Sequence, residues 1–221
     1  IKPENINIPN GDLKPNELRS SCVAYENKIK ELGGIDLQIL GIGRTGHIGF
    51  NEPGSHLNSQ TRTITLDHLT RYDAISAFQG IENVPRKAIT MGIQSILNAK
   101  RILLMAWGTN KAGIIQKAVE GEISDKIPTT YLQNHKNTTL ILDEEASSDL
   151  TRIKTPWLVG NYEWTDAKSL KAIVWLCKKM KKSILKLTDE DYNQNGMSDL
   201  LALSGSSYDI NIEMFNRLQH S

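Results

Sequence analysis

Apolar residues recur at threes and fours between positions 15 and 32, at Leu18, Cys22, Tyr25, Ile29 and Leu32, and Gly33-Gly34 follows. Such spacing puts the apolar side chains on one face of a helix, and paired glycines end it. The pattern therefore predicts a helix over 15–32. Residues 35–40 (IDLQIL) read as a short strand. RTITL at 62–66 alternates and predicts another; Asp67 can then cap a helix to residue 77, with Leu69, Tyr72 and Ile75 or Ser76 facing inward. PRKAITM at 85–91 predicts a strand and 93–98 a helix. RILLMA at 101–106 is almost continuously apolar, as parallel strands covered on both faces are. A helix over 111–120 follows. Strands alternating with helices predict an α/β, Rossmann-like fold, a mostly parallel sheet flanked by helices on both faces.

Downstream the pattern changes. Residues 164–187 (WTDAKSLKAIVWLCKKMKKSILKL) predict a helix with Leu170, Ile173, Val174 and Cys177 on one side. Lys178, Lys179, Lys181 and Lys182 near its end suit the negative end of the helix dipole and a solvated face. Residues 189–207 are polar, with turn signals at Asn195-Gly196 and Ser204-Gly205, and 210–218 predict a last helix. The expected division is an α/β domain over 1–159 and a helical extension over 160–221.

Composition adds bounds rather than a function. The 221 residues are 39% hydrophobic and 23% charged, with a net charge of +1, which offers no electrostatic basis for binding nucleic acid or an anionic membrane. No apolar run approaches the length of a membrane span, and no charged-then-apolar leader opens the chain. Cys22 and Cys177 are far apart and lack metal-ligand spacing; they read as thiols of a reducing compartment, the cytoplasm.

Candidate chemistry concentrates in LQILGIGRTGHIGFNEPGS, residues 37–55. A strand runs into Gly41, Gly43, Gly46 and Gly49 and then presents His47, Asn51 and Glu52. Glycines let backbone turn sharply or approach a ligand, at roughly 0.5–1 kcal/mol each relative to Ala. An active-site loop explains four of them better than an ordinary strand-exit turn with a solvated histidine. Residues 41–46 also match the dinucleotide fingerprint G-x-G-x-x-G, and Asp67 lies about 20 residues on. That motif needs a helix at its last glycine, and HIGFNEPGSHLNSQ is a poor helix. A metal site is equally poorly supported, because the five-residue separation of His47 and Glu52 puts them on no common helical face. A second candidate is Trp107-Gly108-Thr109-Asn110-Lys111, a strand end leading into a helix. It reads either as a phosphate site or as a capped helix with a surface lysine.

The run GIGRTGHIGFNEPGS resembles the signature of glucosamine-6-phosphate deaminases, approximately L-G-x-G-x-D-G-H-I-A-F-N-E-P. The related 6-phosphogluconolactonases share the G-x-D-G-H part but not F-N-E-P. The resemblance implies that His47 helps open the sugar ring, that Glu52 orients and charges it, and that Gly41, Gly43, Gly46 and Asn51 lie against substrate. Thr45 stands where the family has an aspartate, so the His–Glu pair would work without that second charge. The lysine of the family's G-x-x-K falls on Lys111, as a ligand of the sugar phosphate. TTYLQNH at 129–135 is similar to the family's S-x-L-Q-x-H, with His135 in a structural hydrogen bond, and LILDE at 140–144 to its last strand. A phosphate-binding arginine of the family falls at or near Ser76. In the allosteric site a lysine is replaced by Ile64, while Arg62 is retained.

The resemblance begins at IKPENINIPNGD and ends near Asp149. It implies a preceding segment with a second phosphate loop and an aspartate base, so the chain is expected to be a fragment. The tail is similar to the bridging region of long bacterial members that carry a deacetylase-like domain downstream. The implied reaction is conversion of glucosamine 6-phosphate to fructose 6-phosphate and ammonia, with a sugar phosphate as partner and no metal or organic cofactor. A lactonase or a non-catalytic sugar-phosphate binder are the alternatives. A sheet edge left unpaired implies possible homo-oligomers.

Overall fold

The computed structural model describes residues 1–219, which divide into two units, Ile1–Asp149 and Leu150 onward. In the first unit β1 (Leu37–Leu40), β4 (Arg101–Ala106) and β5 (Thr138–Leu142) form a parallel sheet in the order β1-β4-β5. Leu40 pairs with Leu104, and Leu104 with Leu140. The remaining strands, β2 (Arg62–Thr65) and β3 (Lys87–Thr90), form a separate antiparallel pair. Six helices accompany them: α1 (Pro15–Glu31), α2 (His68–Asp73), α3 (Ile75–Phe78), α4 (Ile93–Leu97), α5 (Ala112–Glu120) and α6 (Glu144–Ser147). Leu40, Ile102, Leu104 and Ala106 are buried, whereas Leu37, Ile39 and Ile141 stay 46%, 54% and 46% exposed. Alternate residues of a strand point to opposite faces. Among the described residues the sheet is thus well covered on one face and incompletely on the other.

Several predicted elements are shorter or shifted, each for a local reason. Helix α1 ends at Glu31 and two glycines with positive φ follow, so Leu32 is 68% exposed rather than in the core. The expected 67–77 helix breaks into α2 and α3 at Ala74. Asp67 does cap α2, accepting from the Leu69 N–H at 2.8 Å. Leu69 and Tyr72 face outward, and α2 is anchored by Arg71, whose guanidinium donates to the Ile81 and Val84 carbonyls. The last strand is Thr138–Leu142, not 140–144, because Asp143 leaves the sheet to accept the Ala146 N–H at 2.7 Å and the Gly108 N–H at 2.9 Å. Helix α5 begins one residue later than expected, after a 3-10 turn over Thr109–Lys111.

Glu26 joins distant parts of this unit. Its Oε1 accepts from the Thr61 N–H and hydroxyl and from the Ser95 hydroxyl. Burial alone would raise this carboxyl, but the bonds from Ser95 and Thr61 and the charge of Lys30 prevail and hold it below the usual range.

The second unit consists of α7 (Thr151–Lys154), α8 (Asp166–Met180), α9 (Asp189–Asn193), α10 (Ser198–Ser204) and α11 (Ser207–Gln219). Its core contains Trp157, Ile173, Leu176, Tyr192, Met197, Ile210 and Met214. Trp157 packs edge-on against Trp175 at 5.4 Å, so the division falls after Asp149 rather than after residue 159. Helix α8 stops at Met180, where Lys181 takes a left-handed conformation, instead of running to 187. Lys182, read as part of a solvated cluster, pairs with both oxygens of buried Asp191 at 2.8 Å. The polar 189–207 stretch holds two helices, because its polar groups are satisfied internally. Asp191 and Thr188 form a capping box, and the Tyr192 hydroxyl donates to Asn211 at 2.7 Å.

Candidate active site

The glycine loop leaves the carboxyl end of β1 as a tight, non-helical turn. No helix lies between β1 and β2, so the helix required by a dinucleotide fingerprint is missing. The Gly43 N–H donates to the His47 carbonyl at 3.0 Å, folding the loop back on itself. The imidazole then lies against Gly43: a Cβ there would be 2.2 Å from Nε2 and Cε1. Gly46 has φ +79°, and its carbonyl accepts from the Thr129 N–H and hydroxyl at 3.0 and 2.6 Å. This fastens the loop to the segment Pro128–Asn134. Gly41 is different: it is exposed, and a Cβ would touch nothing within 4 Å.

His47 and Glu52 meet. Nδ1 lies 3.1 Å from Glu52 Oε2, and both side chains are largely shielded, at 16% and 14% exposure. The contact becomes an ion pair only when the imidazole is protonated, and it is not an aligned hydrogen bond, since no donor is directed onto the buried Oε2. The Thr45 hydroxyl is also 3.1 Å from Nδ1. One imidazole nitrogen therefore has two oxygen neighbours of different charge. Nε2 makes no hydrogen bond to protein among the described residues. A nitrogen with no protein partner beside a carboxylate-backed one suits proton exchange with a ligand. Glu52 Oε1 in turn accepts from the Thr70 hydroxyl at 2.6 Å and, at a longer 3.4 Å, from the Asp67 N–H.

Asn51 is wholly buried, and its amide is committed. It donates to the Ile48 and Met91 carbonyls at 2.9 and 2.8 Å and accepts from Arg62 at 2.8 Å. It joins loop, β3 end and β2. Arg62 also reaches the Ser55 hydroxyl at 3.2 Å, and burial lowers its guanidinium from its ordinary value. It lines, with Phe50, Glu52, Ser55, Thr65 and Tyr131, a cavity of about 830 Å³. His47 does not line this space, so Glu52 is the residue common to both. Lys111 extends back to β1's end and donates to the Ile42 carbonyl at 2.8 Å. Its ammonium is thereby held at the base of the glycine loop. Ser76 is exposed on α3. His135 bonds Thr138 and the Ala99 carbonyl.

Two features escaped the sequence reading. Thr70 bonds Glu52, and Arg44 pairs with Asp73 at 2.9 Å. Both partners sit on α2, and no motif marks them; only the packing of α2 on the loop reveals them. Among the described residues no group of three or more His, Cys, Asp and Glu side chains is placed to hold a metal ion, and no helix is long and apolar enough to cross a membrane.

A family model described as glucosamine-6-phosphate isomerases/6-phosphogluconolactonase matches residues 2–141. A glucosamine-6-phosphate deaminase-like protein of Bacteroides thetaiotaomicron is 52% identical over all 221 residues, which make up 33% of that protein. The glucosamine-6-phosphate deaminase of Clostridium novyi is 51% identical over 150 residues, 68% of this chain and 61% of its own length. A solved monomeric glucosamine-6-phosphate deaminase superposes with a TM-score of 0.64 at 46% identity, covering 67% of this chain and 61% of the other. The chain thus spans about three fifths of these shorter relatives and one third of the long one.

Proposed function

Because the chain belongs to the glucosamine-6-phosphate isomerase/6-phosphogluconolactonase family, we propose that it is the part of a glucosamine-6-phosphate deaminase that opens the sugar ring and holds the phosphate. The observation that carries this reading is His47 Nδ1 facing Glu52 while Nε2 has no protein partner. Nε2 takes the proton of the anomeric hydroxyl and returns one to the ring oxygen, giving the open-chain aldehyde. Glu52 stabilises the imidazolium that exists between the two transfers. A proton then leaves C2 and one arrives at C1; the resulting imine takes up one water and yields fructose 6-phosphate and ammonia. The base for the C2 proton is assigned to the preceding segment that the sequence resemblance implies. Lys111 supplies the positive charge for the phosphate, and Gly43 and Gly46 let the loop fold tightly enough to place His47 beside the sugar. Asn51 acts by holding the loop rather than by touching substrate. Cytoplasmic location, a deacetylase-like neighbour downstream and self-association are parts of the same proposal.

The test is ammonia release from glucosamine 6-phosphate, by the 221-residue chain and by a chain extended upstream. Turnover by the extended chain, lost in His47→Asn, is the expected result. Thr45 beside Nδ1 favours a second reading, a non-catalytic sugar-phosphate binder, since a hydroxyl supplies no charge to the imidazolium. Calorimetric binding without turnover, with turnover restored by Thr45→Asp, would select it. Lactone hydrolysis in place of ammonia release would replace both.

A further inference from the structure

Glu52 has three side-chain torsions with which to turn its carboxylate away from His47, and among the described residues no lysine or arginine is ion-paired with it. What holds it is helix α2. The Thr70 hydroxyl donates to Oε1 at 2.6 Å, a short, charge-assisted bond, whereas the Asp67 N–H is 3.4 Å away. The Arg44–Asp73 pair fastens the same helix to the loop at its other end. Meanwhile two oxygens compete for His47 Nδ1 at 3.1 Å. If Nδ1 carries the proton, the Glu52 carboxylate 3.1 Å away stabilises it by its charge, without an aligned hydrogen bond, and Nε2 is a bare base. If the Thr45 hydroxyl donates to Nδ1, the proton must sit on Nε2 instead.

We propose that Thr70 is a positioning residue that decides this competition: by fixing Glu52 Oε1 it keeps Oε2 on Nδ1 and so holds His47 in the Nδ1–H form. The role of that form in ring opening rests on the function proposed above, but the form itself does not. A hydroxyl on one helix therefore sets which nitrogen of a loop histidine exchanges protons.

The experiment is 15N NMR of the 221-residue chain with labelled histidine, at a pH where the imidazole is neutral, with His47→Gln assigning the signal. Wild type is expected in the Nδ1–H form. Thr70→Val, which keeps the side-chain shape, is expected to shift the majority to Nε2–H, and Thr70→Ser to restore the wild-type spectrum. Thr45→Val combined with Thr70→Val removes the competing donor and is expected to move the signal back toward Nδ1–H. An unchanged tautomer in folded Thr70→Val, or an equal change in Thr70→Ser, overturns the proposal. In the extended chain kcat for ammonia release is expected to fall about 10-fold in Thr70→Val with KM unchanged. Should wild type release no ammonia, the proposed function fails while the tautomer result still decides the role of Thr70.

Discussion

At position 43 a glycine is required because an imidazole occupies the space of its Cβ, not because of the backbone angle. Alanine at 43 must displace His47, and overpacking of this kind costs about 1–3 kcal/mol. Alanine at 41 meets nothing and is expected to stay within about 0.5 kcal/mol of wild type. Urea unfolding of Gly43→Ala and Gly41→Ala should separate the two, with the His47 NMR signals moving only in the first. The sequence presents four glycines as equivalent; different reasons emerge for three of them when His47 is brought against Gly43, Thr129 against the Gly46 carbonyl, and Thr90 Oγ1 to 2.9 Å from where a Cβ on Gly49 would lie. Asn51 makes the same point. The family resemblance implies a substrate contact for it, and the fold gives its amide three protein partners.

At the scale of elements, Asp143 links β5, α6 and the Gly108 turn that leads to Lys111. Its carboxylate caps α6 and also accepts the Gly108 N–H. Asp143→Ala removes a helix cap and leaves a part-buried N–H without its acceptor. A loss of about 1–3 kcal/mol in chemical unfolding is expected. Asp143→Asn should recover part of it, since an amide oxygen can still accept. The strands predicted at 35–40, 62–66, 85–91 and 101–106 contain β1, β2, β3 and β4; alternation marked β2 and a near-continuous apolar run marked β4. The apolar pattern failed for α2, where Leu69 and Tyr72 face outward and Arg71 does the anchoring. It failed again over 189–207, where buried Asp191 and Asn195 make a helical core segment look like a loop.

Across the first unit, Glu26 connects α1 to residues 35 and 69 positions away. Its carboxyl is held below the usual range, so its contribution to stability is present above the unfolded value of about 4.3 and is lost as pH falls through the lower folded one. Unfolding free energy should therefore decline on acidification below about pH 4 in wild type, and less steeply in Glu26→Gln. A slope identical in both would assign the acid sensitivity to other carboxylates. By itself the sequence determined the α/β alternation, the glycine loop with His47 and Glu52, and the family, because these are carried by local periodicity and by a contiguous motif. Tertiary structure alone decided that Thr70 grips Glu52, that Lys111 reaches the Ile42 carbonyl, that Lys182 neutralises Asp191, and that three strands form one sheet while two pair apart. Those outcomes depend on groups from separate elements meeting within hydrogen-bond distance, and no spacing along a single element encodes such a meeting.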